Sequence, residues 1–197
     1  MHPITLVVTD DLKRSRLTVF FRVLLAIPHF IWFYLYTIIA FVVLFLAWLV
    51  AVFTGRVPGG MHNFLAGYLR YQVHFFSYLT LVANPYPPFS SSDDYPVTVK
   101  IAGPEKQGRL GVFFRFLLAF PALILSNVLN YLTYVVALFA WFVALFMGRI
   151  PEGMRNLLAF SVKYHAQTQG YVFLLTSKYP SFNVPLDDQP APVTPTA

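Results

Sequence analysis

The sequence predicts an all-α membrane protein, a tandem repeat of helical-hairpin units with short strand-like segments at their starts and four membrane-embedded helices in all. Three observations carry that prediction. First, 57% of the 197 residues are hydrophobic, 18% are aromatic and only 11% are charged, which leaves too little charge to cover a water-soluble globule. Second, no Lys, Arg, Asp or Glu occurs across the 24 residues from Phe30 to Phe53 or across the 32 from Phe116 to Met147. At about 1.5 Å per residue either run can cross a hydrocarbon core of about 30 Å. Third, the chain repeats itself at a constant offset of 93 residues (115 − 22), so that Phe20-Phe21-Arg22 returns as Phe113-Phe114-Arg115.

The offset holds over nearly the whole chain. Arg16 matches Arg109, Trp48 matches Trp141, and the stretch from Phe53 to Asn63 matches that from Phe146 to Asn156. Units of 1–90 and 95–183 follow, joined by 91–94 and trailed by 184–197. Pro- and Ser-rich character begins at Asn84, and neither this connection nor the tail carries the apolar period of a packed core.

Each unit opens with an alternating segment, Ile4 to Thr9 or Val97 to Ile101, that reads as a short strand. An apolar run follows, Leu17 to Phe53 or Leu110 to Met147. As one helix it would reach about 55 Å and overshoot the bilayer, so Pro28 and Pro121 are expected to divide it into an interfacial piece and a span. After a Gly-Arg-x-Pro turn comes a less apolar helix, Met61 to Val82 or Met154 to Thr176. In the first copy His62, Ala66, Arg70, His74 and Ser77 share one face of it. Such a helix either spans with its basic residue turned to a partner helix or lies flat in the interface. Charge bias favours the span. With four crossings the basic residues gather on the side of the termini, which the positive-inside rule assigns to the cytoplasm of an inner-membrane protein. His2 to Asp11 is polar, so a cleaved signal peptide is not expected.

The chain has no cysteine, which excludes thiolate nucleophiles and thiol metal sites. All eight acidic residues lie outside the apolar runs, so the usual carboxylate of an intramembrane proton relay is missing. The net charge of +6 comes from small basic groups beside apolar segments, a pattern that suits anionic headgroups rather than nucleic acid. Arg16, Arg22, Arg70, Arg109, Arg115 and Lys163 are therefore the candidate lipid- or partner-binding residues. Arg22 and Arg115 suit lipid phosphate or a partner's carboxylate, and Arg70 and Lys163 recur at matching mid-helix positions. His62 and His74 are the weak metal candidates; Arg155 and Gln167 replace them in the second copy. No cofactor, catalytic residue or metal is assigned.

The strings Arg16 to Arg22, Leu25 to His29, Phe53 to Pro58 and Tyr86 to Ser90 resemble the bacterial membrane family called DUF4389, over both units. The second is the more degraded copy, with Pro121-Ala122 in place of Pro28-His29. The resemblance implies a membrane protein, often with tandem units, and transfers no catalytic residue. Three roles follow as expectations: a non-catalytic accessory subunit of a larger membrane complex, a lipid-binding or transport protein with a cavity between its units, or a homo-oligomer.

Overall fold

The computed structural model describes residues 2–91 and 94–182. Its elements run β1 (Ile4–Val8), α1 (Arg16–Leu25), α2 (Ile27–Thr54), α3 (Gly59–Leu79), β2 (Val97–Ile101), α4 (Arg109–Phe113), α5 (Arg115–Met147) and α6 (Glu152–Val172). The chain is mostly helical, with one small sheet.

That sheet joins the two copies. β1 and β2 pair antiparallel, with Leu6 opposite Val99 at the centre, and these two residues are each other's repeat equivalents at the offset of 93. An antiparallel pair is related by a twofold axis perpendicular to the sheet, so the axis relating the copies passes between Leu6 and Val99. Contacts far from the sheet obey it. The indole of Trp48 donates to the Val112 carbonyl at 3.0 Å, and that of Trp141 donates to the Val19 carbonyl at 2.8 Å. The Gln107 amide donates to Gly55 O at 2.8 Å, and the Arg14 amide to Gly148 O at 2.9 Å. Thus α1 lies on α5, α4 lies on α2, β2 lies on α3 and β1 lies on α6. Each copy finishes the other.

The elements stack in three layers. Ile4, Leu6, Val8, Val97 and Val99 turn one sheet face inward, onto α3 and α6, where the Ile4 side chain meets Gly170. The central pair carries the sheet on one side and the long helices on the other: His74 of α3 sits beside Thr98 and Tyr95, while Tyr68 and Phe75 of α3 stack on Phe33 of α2. This placement corrects the expected count of four spans. Two helices, α2 and α5, are long and apolar enough to cross a membrane. α3 and α6 are interior: the face bearing His62, Ala66, His74 and Ser77 is buried, with His74 against Thr98 of the sheet.

α2 and α5 bury only a narrow seam. In α2 the buried side chains are His29, Ala40, Leu44, Ala47 and Ala51, and in α5 the seam includes Ala119, Ala122, Ala140 and Ala144. Small residues at spacings of three and four let each helix approach the layer above. The opposite arc leaves Phe41, Phe45, Leu138 and Phe139 more than half exposed. The break expected at Pro28 falls at Ala26, between α1 and α2, so Pro28 sits in the first turn where its missing N–H costs nothing. In the second copy the break comes earlier, at Phe114, and Pro121 lies inside α5.

The Pro-rich segment from Asn84 touches α2 through two half-exposed rings; residues 92 and 93 of the joining stretch lie outside the described residues. Phe89 stacks on the His29 ring at 4.2 Å and Tyr86 meets it at 4.8 Å. Aromatic rings thus strap the Pro-rich segment to α2. The tail assigned to 184–197 lies outside the described residues.

Both long helices end at a glycine in left-handed conformation, Gly55 at φ 72° and Gly148 at φ 68°. A Cβ at Gly55 would stand 3.1 Å from the Gln107 carbonyl oxygen, whereas one at Gly59 meets nothing within 4 Å. Gly55→Ala is therefore expected to destabilise the protein by about 1–3 kcal/mol. Gly59→Ala is expected to stay within about 0.5 kcal/mol of the parent, with thermal unfolding midpoints in detergent as the readout.

Candidate functional site

The six candidate basic residues fall into three environments. Arg22 and Arg115 point inward and are 1% and 3% exposed. The Arg22 guanidinium donates to the Tyr78 carbonyl, donates to the Ala83 carbonyl at 3.0 Å, and lies 4.3 Å from the centre of the Tyr78 ring. Arg115 repeats this with the Thr176 carbonyl at 3.3 Å and the Tyr171 ring at 4.1 Å, and it also donates to the Gln107 side chain. The last carbonyls of a helix lack partners within it, and each guanidinium satisfies those following α3 or α6. Burial pulls Arg22 down to about 10, so it remains cationic at neutral pH. Both guanidinium groups are turned to carbonyls of their own copy. Each is an internal clamp.

Arg14 and Gln107, which the sequence reading passed over, complete the clamps. Arg14 donates to the carbonyls of Leu81 at 2.9 Å and Val82 at 3.0 Å and pairs with Asp10 at 2.5 Å. Gln107 donates to the Leu174 carbonyl at 2.7 Å. These are again repeat equivalents, as are Leu81 and Leu174, which adopt φ of 64° and 60°. A Leu with positive φ is strained, and the clamp over each carbonyl holds it there. Glu105 performs a related task, accepting from the Ser177 amide at 2.5 Å and its hydroxyl at 2.8 Å. Burial alone would raise its pKa; the bonds from Ser177 and Thr176 outweigh that and hold it below the usual carboxylate range.

Arg16 and Arg109 are exposed. They stand at the far ends of the long helices of the opposite copy: Arg16 Nε lies 3.6 Å from a Cβ placed on Gly148, and Arg109 Cγ lies 3.8 Å from one on Gly55. A cation at a helix C-terminus is favourable by about 0.3–1 kcal/mol, and the exposed guanidinium retains donors for an outside anion.

Arg70 and Lys163 stand in different surroundings. Arg70 Nε donates to the outward carbonyl of Val99 at 3.2 Å, covering the free edge of β2, as Gln167 covers that of β1 through Ile4 O at 3.2 Å. Such edges otherwise invite pairing with another chain. Beside Arg70 opens a cleft of about 540 Å³ lined by Thr9, Asp94, Tyr95, Thr98 and Lys100. Lys163 is buried in α6 and does not line it.

The histidines do not converge either. Twelve residues apart on α3, His62 and His74 are separated by about 18 Å of helix rise. Among the described residues no group of three or more His, Asp or Glu side chains stands together to hold a metal. Burial pushes the His62 imidazole below its ordinary pKa, which keeps it neutral in the interior.

The copies also differ. Tyr68 bonds Thr37 at 2.6 Å and Gln72 at 3.1 Å; its equivalent is Ser161, too short to fill the same space. Ser161 bonds the Leu157 carbonyl of its own helix, and a cavity of about 20 Å³ lies among Thr80, Asn130, Thr133 and His165, which is room for about one water molecule.

Fold and site together define a twofold-repeated helical protein with two long apolar helices and internal cationic clamps. Family comparison agrees with the repeat: the model described as "Domain of unknown function (DUF4389)" matches residues 16–91 and again 109–183. The chain belongs to that family and carries two units of it. No curated protein and no solved structure matches the chain.

If the clamps hold α3 and α6 as described, Arg22→Leu removes the guanidinium bond to the Ala83 carbonyl, while Tyr78 O keeps the Leu81 amide, and is expected to cost about 1–3 kcal/mol. Arg22→Lys restores a cation but not the planar stack on Tyr78 and is expected to recover less than half of that loss. Unfolding midpoints of the three proteins in one detergent decide it; equal midpoints for Arg22→Leu and the parent would rule out the clamp.

Proposed function

We propose that this protein is a non-catalytic integral membrane protein that serves as an accessory or structural subunit of a larger membrane assembly. One observation carries the reading. α2 and α5 bury narrow seams of small residues and turn wide arcs of Phe, Leu, Ile and Val outward, the reverse of what a helix does in water. In a bilayer those arcs are satisfied by lipid, and by the apolar faces of neighbouring helices where association rests on shape packing.

The interior supports the same role. Arg14, Arg22, Arg115, Gln107 and Gln167 all bind backbone carbonyls within the chain, so their donors maintain shape. Exposed cations at Arg16, Arg109, Arg56 and Arg149 suit anionic lipid or the acidic rim of a partner subunit. A second reading, a lipid- or anion-binding protein, rests on the cleft beside Arg70 and Lys100.

The chain is expected to stay in the membrane pellet through alkaline carbonate extraction. After mild detergent it is expected to migrate on a native gel well above its own 22.5 kDa, with a second polypeptide identified in the band by mass spectrometry. A band holding this chain alone favours a homo-oligomer. A lone protomer carrying a stoichiometric anionic ligand overturns the accessory role in favour of the cleft, and release by carbonate overturns membrane embedding.

A further inference from the structure

The manner of embedding follows from the pseudo-twofold axis and rests on the membrane reading above. That axis is perpendicular to the sheet at Leu6 and Val99. It runs from the sheet between α3 and α6 and out through the layer of α2 and α5. Rotation about an axis leaves height along it unchanged. The start of α1 lies beside the end of α5 at one corner, through Arg14 and Gly148, and the start of α4 lies beside the end of α2 at the other, through Gln107 and Gly55. The axis exchanges these corners, so both stand at one height. Each apolar run, 16–54 and 109–147, consequently leaves one level and returns to it.

The two faces crossed by the axis differ in kind. On the helical face stand the exposed arcs of α2 and α5, with Phe20, Leu24, Leu110 and Leu117 of the adjoining turns. On the sheet face lie the strands and the cleft with Asp94, Lys100 and Thr9. Hydrocarbon cannot solvate strand edges or an exposed carboxylate. Laying the axis in the membrane plane would set the corners on opposite surfaces and sink the sheet and its cleft to mid-depth. Directing it along the bilayer normal keeps the whole polar layer in water.

We propose that this protein embeds re-entrantly from one side of the bilayer, its pseudo-twofold axis along the normal and both apolar runs entering and leaving through the same surface. Lys13, Arg16 and Arg149 at one corner and Arg56, Lys106 and Arg109 at the other are exposed, forming a basic rim at headgroup level that suits an anionic leaflet.

The absence of cysteine makes the test direct. Lys13→Cys, Arg56→Cys and Lys100→Cys, each exposed and off the clamps, are treated with a membrane-impermeant maleimide in intact and in permeabilised cells. All three are expected to share one accessibility: all labelled in intact cells, or all labelled only after permeabilisation. Opposite accessibility of Lys13→Cys and Arg56→Cys overturns the proposal, as does failure of either to react until the protein is denatured. The unmodified chain gives an independent reading: trypsin added to sealed vesicles is expected to cut after Lys13 and after Arg56 from the same side, and cuts from opposite sides overturn it. Flotation with phosphatidylcholine and phosphatidylglycerol vesicles separates the two levels of failure. A chain that does not float refutes membrane embedding itself, whereas one that floats with its corners on opposite sides refutes only the re-entrant arrangement.

Discussion

The architecture depends on the antiparallel pairing of β1 with β2 about Leu6 and Val99. Two strands are too few to be stable alone in water; here the pair survives because α3 and α6 cover its inner face and because Arg70 and Gln167 satisfy its outward carbonyls. In return the pairing fixes the axis about which everything else is exchanged. With the strands in register, α1 falls on α5 and α4 on α2, and the indoles of Trp48 and Trp141 reach the carbonyls of Val112 and Val19. A one-residue slip would turn Leu6 and Val99 away from the core and misalign every reciprocal contact. The repeat is thus a mutual completion of two halves, each of which closes the end of the other's long helix.

Arginine suits the clamps better than any alternative at the same places. Planar guanidinium can stack on Tyr78 or Tyr171 while its edge donates to carbonyls that lie beyond the helix end. A lysine offers a compact charge with strong hydration and no face to stack, and its burial would cost more for fewer fixed bonds. The clamps also hold the positive φ of Leu81 and Leu174. Strain at those positions is sustained by neighbouring bonds, and it reverses the chain so that the aromatic strap of Tyr86 and Phe89 returns to His29.

How much of this was legible in the sequence varies with the range of the interaction. The strands at 4–8 and 97–101, the break in the first long run and the turn at Gly55 are local and were readable from alternation, proline and glycine. The family, too, was readable, because its strings are short and contiguous. Placement of Arg22 was not: an arginine among Phe20, Phe21, Leu24 and Leu25 looks the same whether it faces a headgroup or the end of α3, and only the partner carbonyls decide. For α3 and α6 the polar face was seen and its neighbour was not. A helix whose polar side lies under a two-stranded sheet has the same periodicity as one lying at an interface, since amphipathicity states that two sides differ and is silent on what meets each. In the segment from Asn84, proline and serine dominate the composition, and the contacts of Tyr86 and Phe89 with His29 do not show in it.

One signal in the sequence had more to say than composition did. Trp48 and Trp141, and Gly55 and Gly148, are retained at the offset, whereas His62, His74 and Tyr68 are replaced by Arg155, Gln167 and Ser161. Retained positions include the reciprocal contacts, where a residue of one copy meets the other copy and its equivalent makes the same contact in return; a change at one such position breaks one of two matched bonds. Replaced positions include Tyr68, whose bonds to Thr37 and Gln72 stay within one copy, and His74, which sits beside Thr98 of the other copy while Gln167 bonds Ile4 O in return. Tyr68 bonds Thr37 and Gln72, whereas Ser161 at the equivalent place bonds the Leu157 carbonyl of its own helix. The copies are thus held alike at the corners, where each closes the end of the other's long helix, and differ along α3 and α6.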